Sequence, residues 1–274
     1  SKYDEDGNGK VDNLFVVHSG RIPHDRVGPS CTFTRDRSAD HMVVFQIGGI
    51  GTKGKDIGIG FYLHEGGHEY FSLPDLYGSH YRGKYGIGMW GMMGLGAWGV
   101  SNDISEDDLF RYPAHFEPKS KEIIGWGNII NINKTTKNIT LRPVEVSGDI
   151  IKIGEDYYLE NRGKSGFSEN HQGHGLLIWK GFTIIQADGR DDLNNGTNLG
   201  RRPLPPISEN FGDDSDPFPG SLGITSYVDP REGINITNIR ETEGNIIFDV
   251  AIGEKDLRFK EVERQILKES AFHL

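Results

Sequence analysis

The stretch FYLHEGGHEYFSLPDLYG, residues 61–78, carries the side chains whose types and spacing are most suited to chemistry. His64 and His68 lie four residues apart, and a helix places residues with that spacing on one face. Two neutral imidazoles on one helix face, with a glutamate after the first, form a zinc signature in which the glutamate serves as general base. The stretch therefore predicts His64 and His68 as zinc ligands and Glu65 as the base. The competing interpretation is a surface helix that carries two histidines by chance.

A catalytic zinc site needs a third protein ligand and an open position for water. Asp75 follows the turn FSLP and is the predicted third ligand, although an aspartate directly after Pro74 also suits a plain turn. His80 and Glu106 are the rival candidates. With three ligands in place, zinc lowers the pKa of its bound water toward ~7, so a hydroxide nucleophile exists at neutral pH.

The glycine-rich segment GMWGMMG, residues 88–94, follows the histidine stretch. A methionine in a tight turn could form a soft apolar floor beneath the metal-binding histidines. The alternative is that Met92 and Met93 are ordinary core residues.

Together, these motifs resemble the zinc core of the immune inhibitor A family of secreted bacterial and archaeal metallopeptidases. The resemblance is carried by HEGGHEYFSLPDLYG, GMWGMMGLGAWG and YPAHFEPKSKEIIGW. Members show His-Glu-x-x-His-x-x-Gly-x-Pro-Asp-x-Tyr, then Trp-x-x-Met-Gly, then a segment that ends in Lys-x-x-x-Gly-Trp. DEDGNGKVDNLFVVHSG resembles the acidic loop and strand that precede the core in the family. The β-rich part that follows the core in the family is matched by YYLENR, GHGLLIW, IIQADGRDDL and GDDSDPFPG. The resemblance therefore covers most of residues 4–250 in the same order.

The resemblance implies a role for each matching residue. His64, His68 and Asp75 match the zinc ligands, Glu65 matches the catalytic base, and Met93 matches the methionine of the turn below the metal.

The aspartate departs from the family pattern by one residue. The family aspartate lies ten residues after the first histidine and a glycine makes the turn, whereas Asp75 lies eleven after His64 and Phe71-Ser72 occupies the glycine region. A one-residue bulge with Ser72 at the glycine position would restore the reach of Asp75; otherwise the site is distorted and catalysis impaired. Tyr77 is a candidate oxyanion stabiliser through its hydroxyl, and packing of the turn is its alternative role.

The predicted fold is α+β, with a zincin-like catalytic domain followed by a β-sandwich-like module. Short apolar runs predict strands at residues 11–18 and 41–47, and a helix is predicted over residues 56–70. Beyond Trp126, strand signals recur in IINI, NITLRPVEV, DIIKI, DYYLENR, GLLIWK, FTIIQAD, INITNIR and NIIFDVAI. The predicted divisions are a catalytic domain at 1–127, a β-rich module at 128–252 and a helical segment at 253–274. A peptide substrate is expected to add along an edge strand within HMVVFQIGG.

Two acidic segments are candidate calcium sites. In DEDGNGKVD, oxygen ligands alternate along the chain and Gly9 stands at the sharp turn of a calcium loop. The ligands there are Asp4, Asp6, Asn8, the carbonyl of Lys10, and Asp12. Phe15 replaces the bidentate glutamate, which excludes an EF-hand, and a solvated acidic turn is the alternative. A second cluster, with a solvated loop face as its alternative, contains Asp188, Asp192, Asp213, Asp214 and Asp216.

Composition excludes several other classes of protein. The 274 residues carry a net charge of -10, whereas a nucleic-acid surface needs a basic patch. No apolar run approaches the ~20 residues of a membrane-spanning helix. The lone Cys31 has no second cysteine to form an internal disulfide. The first residues lack the pattern of a signal peptide. The sequence is compatible with a pro-segment before it and with further domains on either side.

The sequence thus predicts a zinc metalloendopeptidase that is secreted or held at the cell surface and hydrolyses peptide bonds of extracellular proteins, with zinc and calcium as its metals. Its predicted partners are protein or peptide substrates. The alternative is a catalytically impaired, calcium-stabilised surface or binding protein on the same scaffold.

Overall fold

The computed structural model describes residues 2–19, 31–33, 39–47, 58–77, 86–99, 110–171, 173–191, 193 and 212–255. Over these residues the chain is mixed α+β, made mostly of sheets with few helices. No helix in the described ranges has the length and apolar character that crossing a membrane requires.

The first sheet has three strands in the order β1-β3-β2. Its strands are β1 (Val11–Ser19), β2 (Cys31–Phe33) and β3 (Ala39–Ile47). β1 pairs with β3 in parallel, and β2 pairs antiparallel with Val43–Phe45 of β3. β3 is therefore the central strand, and the expectation of an edge strand within HMVVFQIGG is wrong. The three residues of β2, too short to form a recognisable pattern in the sequence, occupy that edge.

Helix α1 (Ile59–Phe71) contacts β3 and matches the predicted helix closely. Its beginning is fixed by the amide of Gly60, which donates a hydrogen bond to the carbonyl of Phe110 at 2.8 Å. A Cβ on Gly60 would lie 2.1 Å from the carbonyl oxygen of Ala97, so only glycine allows this close approach. The N-terminal end of the helix is thus anchored to the segments that follow it.

The segment 86–99 folds into two short 3-10 turns, Gly88–Trp90 and Leu95–Ala97, and is largely buried. Helix α2 (Pro118–Ile124) follows it and contacts a strand of the second sheet. Pro118 at the first helical position suits the start of a helix because its missing N–H has no partner there. A buried glycine-rich segment and a short helix therefore lead from α1 to the second sheet.

The remaining strands form a five-stranded and a four-stranded sheet. The five-stranded sheet has the order β4-β6-β7-β8-β9, and its strands are β4 (Asn128–Ile132), β6 (Asp149–Ile153), β7 (Tyr157–Arg162), β8 (Gly175–Lys180) and β9 (Thr183–Ile185). The four-stranded sheet has the order β10-β11-β12-β5, and its strands are β5 (Thr136–Leu141), β10 (Tyr227–Asp229), β11 (Ile234–Thr242) and β12 (Asn245–Ile252).

Both faces of the five-stranded sheet are buried. One face shares a core with the four-stranded sheet, in which Leu159 and Ile178 pack with Ile236 and Phe248. The opposite face, which includes Trp179, packs against the segment 86–99 in a second core. Burial on both faces explains why β6, β7 and β8 lack an alternation of apolar and polar residues. The segment 86–99 thereby lies directly on the sheet.

Two details of the strand predictions differ from the structure. VEV, the end of the run NITLRPVEV, was expected to be extended but forms the single helical turn α3 (Val144–Ser147). Gly148 ends that turn with a φ of 66°, a conformation that favours a helix ending over a continuing strand. β10 has no counterpart among the predicted strands. The predicted C-terminal helix lies outside the described residues, apart from its first residues up to 255.

Candidate metal centre

His64, His68 and Asp75 meet at one point beside α1. The Nε2 atoms of the two histidines lie 3.2 Å apart. The Oδ1 atom of Asp75 lies 3.2 Å from Nε2 of His64 and 3.0 Å from Nε2 of His68. The three atoms form a nearly equilateral triangle, and these residues are one of two groups among the described residues with the spacing of a metal site.

The other ring nitrogen of each histidine determines which atoms are free to bind a metal. Nδ1 of His64 lies 2.9 Å from the carbonyl oxygen of Met92, and Nδ1 of His68 lies 2.6 Å from that of Leu73. Because a carbonyl oxygen only accepts, both Nδ1 atoms carry the proton. Each neutral imidazole then directs an Nε2 lone pair toward the other imidazole and Asp75. Lone pairs so close together repel one another unless a cation, either a proton or a metal ion, lies among them.

The spacing of the three atoms fits zinc. Zn–N bonds of ~2.0–2.1 Å at tetrahedral angles place neighbouring ligand atoms about 3.3 Å apart. The observed separations of 3.0–3.2 Å are slightly shorter than that. Two imidazoles and one carboxylate also form a donor set that zinc enzymes use, with a fourth position left for water.

The end of α1 accommodates the additional residue before Asp75. Ser72 adopts the left-handed conformation, with φ 52° and ψ 32°, and the amide of Leu73 donates to the carbonyl of Gly67. In α2 the equivalent bond joins the amide of Trp126 to the carbonyl of Lys121, a span one residue shorter. The turn at Ser72 is thus one residue wider than the turn that ends α2, and Asp75 beyond it contacts both histidines.

One side of the site is open to solvent. The exposed fraction of the side chain is 9% for His64, 23% for His68 and 44% for Asp75. Glu65 follows His64 on the helix and is partly buried. A substrate carbonyl could therefore approach from the Asp75 side, while the carboxylate of Glu65 lies on the helix that carries both histidines.

Tyr77 orients the third ligand. Its hydroxyl makes a hydrogen bond with the carboxylate of Asp75. Its ring stacks on that of His64, with 5.8 Å between the ring centroids and 16° between the planes. Burial, followed by the hydrogen bond to Asp75, raises the pKa of Tyr77, so the hydroxyl keeps its proton. The structure thus places the predicted oxyanion stabiliser against Asp75.

The electrostatics favour an ionised Asp75. Burial raises the pKa of its carboxyl, but the hydrogen bonds that His64 and His68 donate when their Nε2 atoms are protonated, together with that of Tyr77, outweigh burial and hold the pKa well below its usual range. The hydrogen bond to Asp75 is in turn the main cause that raises the pKa of His68. An ionised carboxylate next to two imidazoles attracts a cation to this point.

Met93 lies beneath the helix between the two histidines. Its side chain is fully buried, and its Sδ atom would be 2.7 Å from a Cβ on Gly67. The carbonyl of Met93 also accepts a hydrogen bond from the amide of Leu76 at 2.7 Å, next to Asp75. Met93 therefore supports the helix and the third ligand together. Its neighbour Met92 is likewise buried in the core beneath the helix.

The N-terminal acidic loop brings three carboxylates together. Asp4, Asp6 and Asp12 form the second group with the spacing of a metal site. Asn8 directs its amide to Asp6, and its side-chain oxygen accepts from the amide of Lys10. Gly9 has a φ of 86°, which agrees with the expected sharp turn. The carboxylates also accept backbone amides of the loop, so the loop is ordered by its own hydrogen bonds.

The second acidic cluster is used differently in the structure. Asp216 accepts hydrogen bonds from Nε1 of Trp90 at 2.7 Å and from the amide of Asp213. Ser215 donates to Asp213 and to Asp188, while Asp214 is exposed. Asp188, Asp213 and Asp216 thus bind protein donors, and the described members of the cluster do not form a group with metal spacing. Asp192 lies outside the described residues, as do the rival zinc ligands His80 and Glu106.

The groups that orient the two histidines leave little signal in the sequence. The carbonyls of Leu73 and Met92 belong to apolar residues, and a backbone acceptor leaves no signal in residue type. Glu117, whose carboxylate binds the amide of Met93, was also missed. Its signal was a glutamate between apolar residues in AHFEP, directly before the start of a helix.

Comparison with known proteins identifies no relative: the chain matches no family model, no curated protein and no solved structure at a significant level. The resemblance to immune inhibitor A peptidases is thus supported by the sequence motifs of this chain alone.

Proposed function

We propose that this protein is a zinc-dependent endopeptidase of the immune inhibitor A type, with a zincin-like catalytic domain joined to a β-sandwich-like module. The observation that carries the proposal is the triangle of His64 Nε2, His68 Nε2 and Asp75 Oδ1, with edges of 3.0–3.2 Å and one side open to solvent. Glu65, adjacent to the first ligand on the helix, supplies the base that hydrolysis requires.

In the proposed reaction each residue has a defined task. His64, His68 and Asp75 hold the metal, and Tyr77 keeps the carboxylate of Asp75 oriented through its hydrogen bond. When bound, zinc polarises the scissile carbonyl and lowers the pKa of water. Glu65 takes the proton of the attacking water and delivers it to the amine that leaves.

The impaired-scaffold alternative depends on the additional residue before Asp75. If that residue displaced Asp75, the site would have two ligands and turnover would fail. The left-handed Ser72 absorbs the residue at the end of α1, and the carboxylate contacts both imidazoles. This geometry favours the enzyme over the binding protein.

The decisive experiment measures zinc content and casein hydrolysis for the purified protein and for Glu65→Gln. We expect one zinc per chain in both proteins and hydrolysis only in the wild type. Loss of a general base lowers the rate by roughly 10²–10⁴-fold. Glu69→Gln is the matched control, because it removes a carboxylate from the same helix one turn farther along and should keep its hydrolysis.

Two results would contradict the proposal. Bound zinc without hydrolysis by the wild type would support the impaired scaffold. Equal hydrolysis by wild type and Glu65→Gln would remove Glu65 from the reaction. Asp75→Ala tests the third ligand separately, since unchanged zinc affinity in that variant would exclude Asp75.

The proposal includes calcium at the N-terminal loop and an extracellular setting, where calcium is millimolar. Asp4, Asp6 and Asp12 supply the hard oxygen ligands that this ion prefers. We expect calcium to raise the melting temperature of the wild type and to have a smaller effect on Asp6→Asn. An equal calcium response in both proteins would exclude this loop as the site.

A further inference from the structure

Glu117 is a fully buried carboxylate that lies between helix α2 and the Met92-Met93 turn. Its Oε1 atom accepts a hydrogen bond from the amide of Met93 at 2.7 Å, and its Oε2 atom accepts one from the hydroxyl of Ser120 at 2.8 Å. Burial raises the pKa of Glu117, against the hydrogen bonds that stabilise its ionised form. The proposed reaction assigns no task to this residue.

The peptide groups of Met92 and Met93 connect Glu117 to the metal centre. The amide of Met92 donates to the carbonyl of His115, and the amide of Met93 donates to Glu117. On the other side, the carbonyl of Met92 accepts from Nδ1 of His64, and the carbonyl of Met93 accepts from the amide of Leu76. Both amides and both carbonyls of this pair are thus hydrogen-bonded. The amides bind groups of the protein interior, and the carbonyls bind His64 and the segment of Asp75.

The turn is shaped to receive this carboxylate. A Cβ on Gly91 would lie 2.2 Å from Oε1 of Glu117 and 2.6 Å from its Cγ. Only a residue without a side chain allows the carboxylate to lie this close to the backbone. The close approach of the Glu117 carboxylate therefore depends on glycine at residue 91.

Helix α2, which begins directly after Glu117, is bound to the five-stranded sheet by buried charged residues. Lys121, one turn into α2, lies 3.3 Å from Glu160 on β7. Glu160 also pairs with Arg162, and Arg162 donates to the carbonyl of Trp90 at 3.2 Å. Both α2 and the segment 86–99 are thereby bound to the same strand, which limits how far Glu117 and the turn can move apart.

We propose that Glu117 is a positioning residue for the metal centre, which holds the Met92-Met93 turn so that its carbonyls orient His64 and the segment of Asp75. The inference rests on the proposed zinc function. A direct partner such as the carbonyl of Met92 fixes the tautomer and the direction of a ligating histidine, and removing one weakens metal affinity by ~10–100-fold. Glu117 acts on that carbonyl through the peptide group that joins Met92 to Met93.

The test compares Glu117→Met with Glu117→Gln. Methionine fills a similar volume but offers Met93 no strong acceptor, whereas the glutamine oxygen still accepts the amide and its NH₂ group can donate to Ser120. Ile236→Ala, in the core between the two large sheets, is the control for general destabilisation. Two signals are measured on folded protein: zinc affinity by chelator competition, and the imidazole nitrogen shifts of His64 by NMR in metal-free protein.

We expect Glu117→Met to bind zinc about 10-fold more weakly than the wild type, at the lower end of the effect of losing a direct partner. Glu117→Gln and Ile236→Ala should stay within a few-fold of the wild type. The His64 Nδ1–H signal should move in Glu117→Met alone. A purely structural role predicts lower melting temperatures in Glu117→Met and Ile236→Ala with unchanged zinc affinity, and that result would overturn the proposal.

Two further outcomes are decided in the same experiment. If the wild type binds no zinc, the proposed function fails, and the His64 signal alone then decides the positioning role. If Glu117→Met does not fold, Ser120→Ala takes its place, because it removes only the donor that orients Oε2. Zinc affinity and a His64 signal equal to those of the wild type in Ser120→Ala would then count against the positioning role.

Discussion

Replacement of Gly67 by alanine tests whether Met93 supports the metal-binding helix. A Cβ at this position would lie 2.7 Å from Sδ of Met93 and 3.3 Å from both Cε of Met93 and Cε1 of Phe116. Optimal contacts between such atoms are ~3.5–4.0 Å, so the sulfur has to move by about 1 Å. Met93 has no exposed surface and its backbone is bound to Glu117 and Leu76, so the side chain has little room to yield.

The expected change in stability is the difference between two opposing effects. Alanine in a helix interior is favoured over glycine by roughly 0.5–1 kcal/mol. An additional carbon in a well-packed core costs roughly 1–3 kcal/mol. Taking the middle of each range, we expect Gly67→Ala to lower the free energy of unfolding by about 1 kcal/mol. Helix propensity alone predicts the opposite sign.

The assay is urea unfolding of Gly67→Ala, Met93→Ala and the double variant. Met93→Ala alone should cost roughly 2–5 kcal/mol, because it leaves a cavity. With the methionine shortened, alanine at residue 67 no longer clashes and should contribute its propensity. The two substitutions should therefore be coupled by about 1–2 kcal/mol.

Two results would refute the reasoning. A stability gain of roughly 0.5–1 kcal/mol in Gly67→Ala would mean that no side chain lies against the helix at this point. Additivity of the two substitutions within ~0.3–0.5 kcal/mol would mean that Met93 is not the residue that is displaced. Either result would remove the methionine floor from the candidate site.

Three other perturbations have defined outcomes. Ser72→Gly should raise the free energy of unfolding in urea by about 0.5–1 kcal/mol, because a serine in the left-handed conformation is strained. The zinc affinity of this variant should match that of the wild type. A loss of stability would contradict the left-handed conformation of Ser72. Tyr77→Phe keeps the ring stack but loses the hydrogen bond to Asp75, so zinc affinity should fall ~10-fold in chelator competition; a fall in kcat alone would instead favour the oxyanion role. Burial, together with neighbouring positive charges, lowers the pKa of His115 from 6.5 to about 3. Between pH 6.5 and about pH 3, His115 is therefore protonated in the unfolded chain but neutral in the folded chain. The free energy of unfolding falls by about 1.4 kcal/mol per pH unit over this range. In metal-free His115→Gln that loss, about 3 kcal/mol at pH 4.5, should be absent from urea unfolding curves, and identical curves for the two proteins would contradict it.

The sequence predicted elements well where local pattern decides them. The helix expected at 56–70 is observed at Ile59–Phe71, and the run DIIKI forms β6. The errors concern partners that lie far away in sequence. β3 is central because the three residues of β2 pair with it, and VEV is helical because Gly148 and Pro143 enclose a single turn. Neither pairing nor turn geometry can be read from the alternation of apolar residues.

The candidate ligands were predictable because metal binding constrains residue type and spacing together. The position of Asp75 was uncertain, since its reach depends on one backbone conformation at Ser72. The groups that orient the two histidines were not predictable, because those in direct contact are carbonyl oxygens and Glu117, which acts through a peptide group, is 24 residues away from Met93 in sequence. Their roles depend on how the segment 86–99 packs on the sheet.

That packing also determines how the candidate metal centre depends on the β-rich module. The predicted boundary at residues 127/128 follows a change in sequence pattern, but the buried contacts cross it. Trp90 packs in one core with strands of the five-stranded sheet, and its indole donates to Asp216. Lys121, Glu160 and Arg162 are buried charges shared across the boundary, and removing one partner of such a group typically costs ~3–5 kcal/mol. The turn that orients His64 is therefore held in place by residues of the module, and removing one of these buried partners should disturb the candidate ligands as well as the sheet.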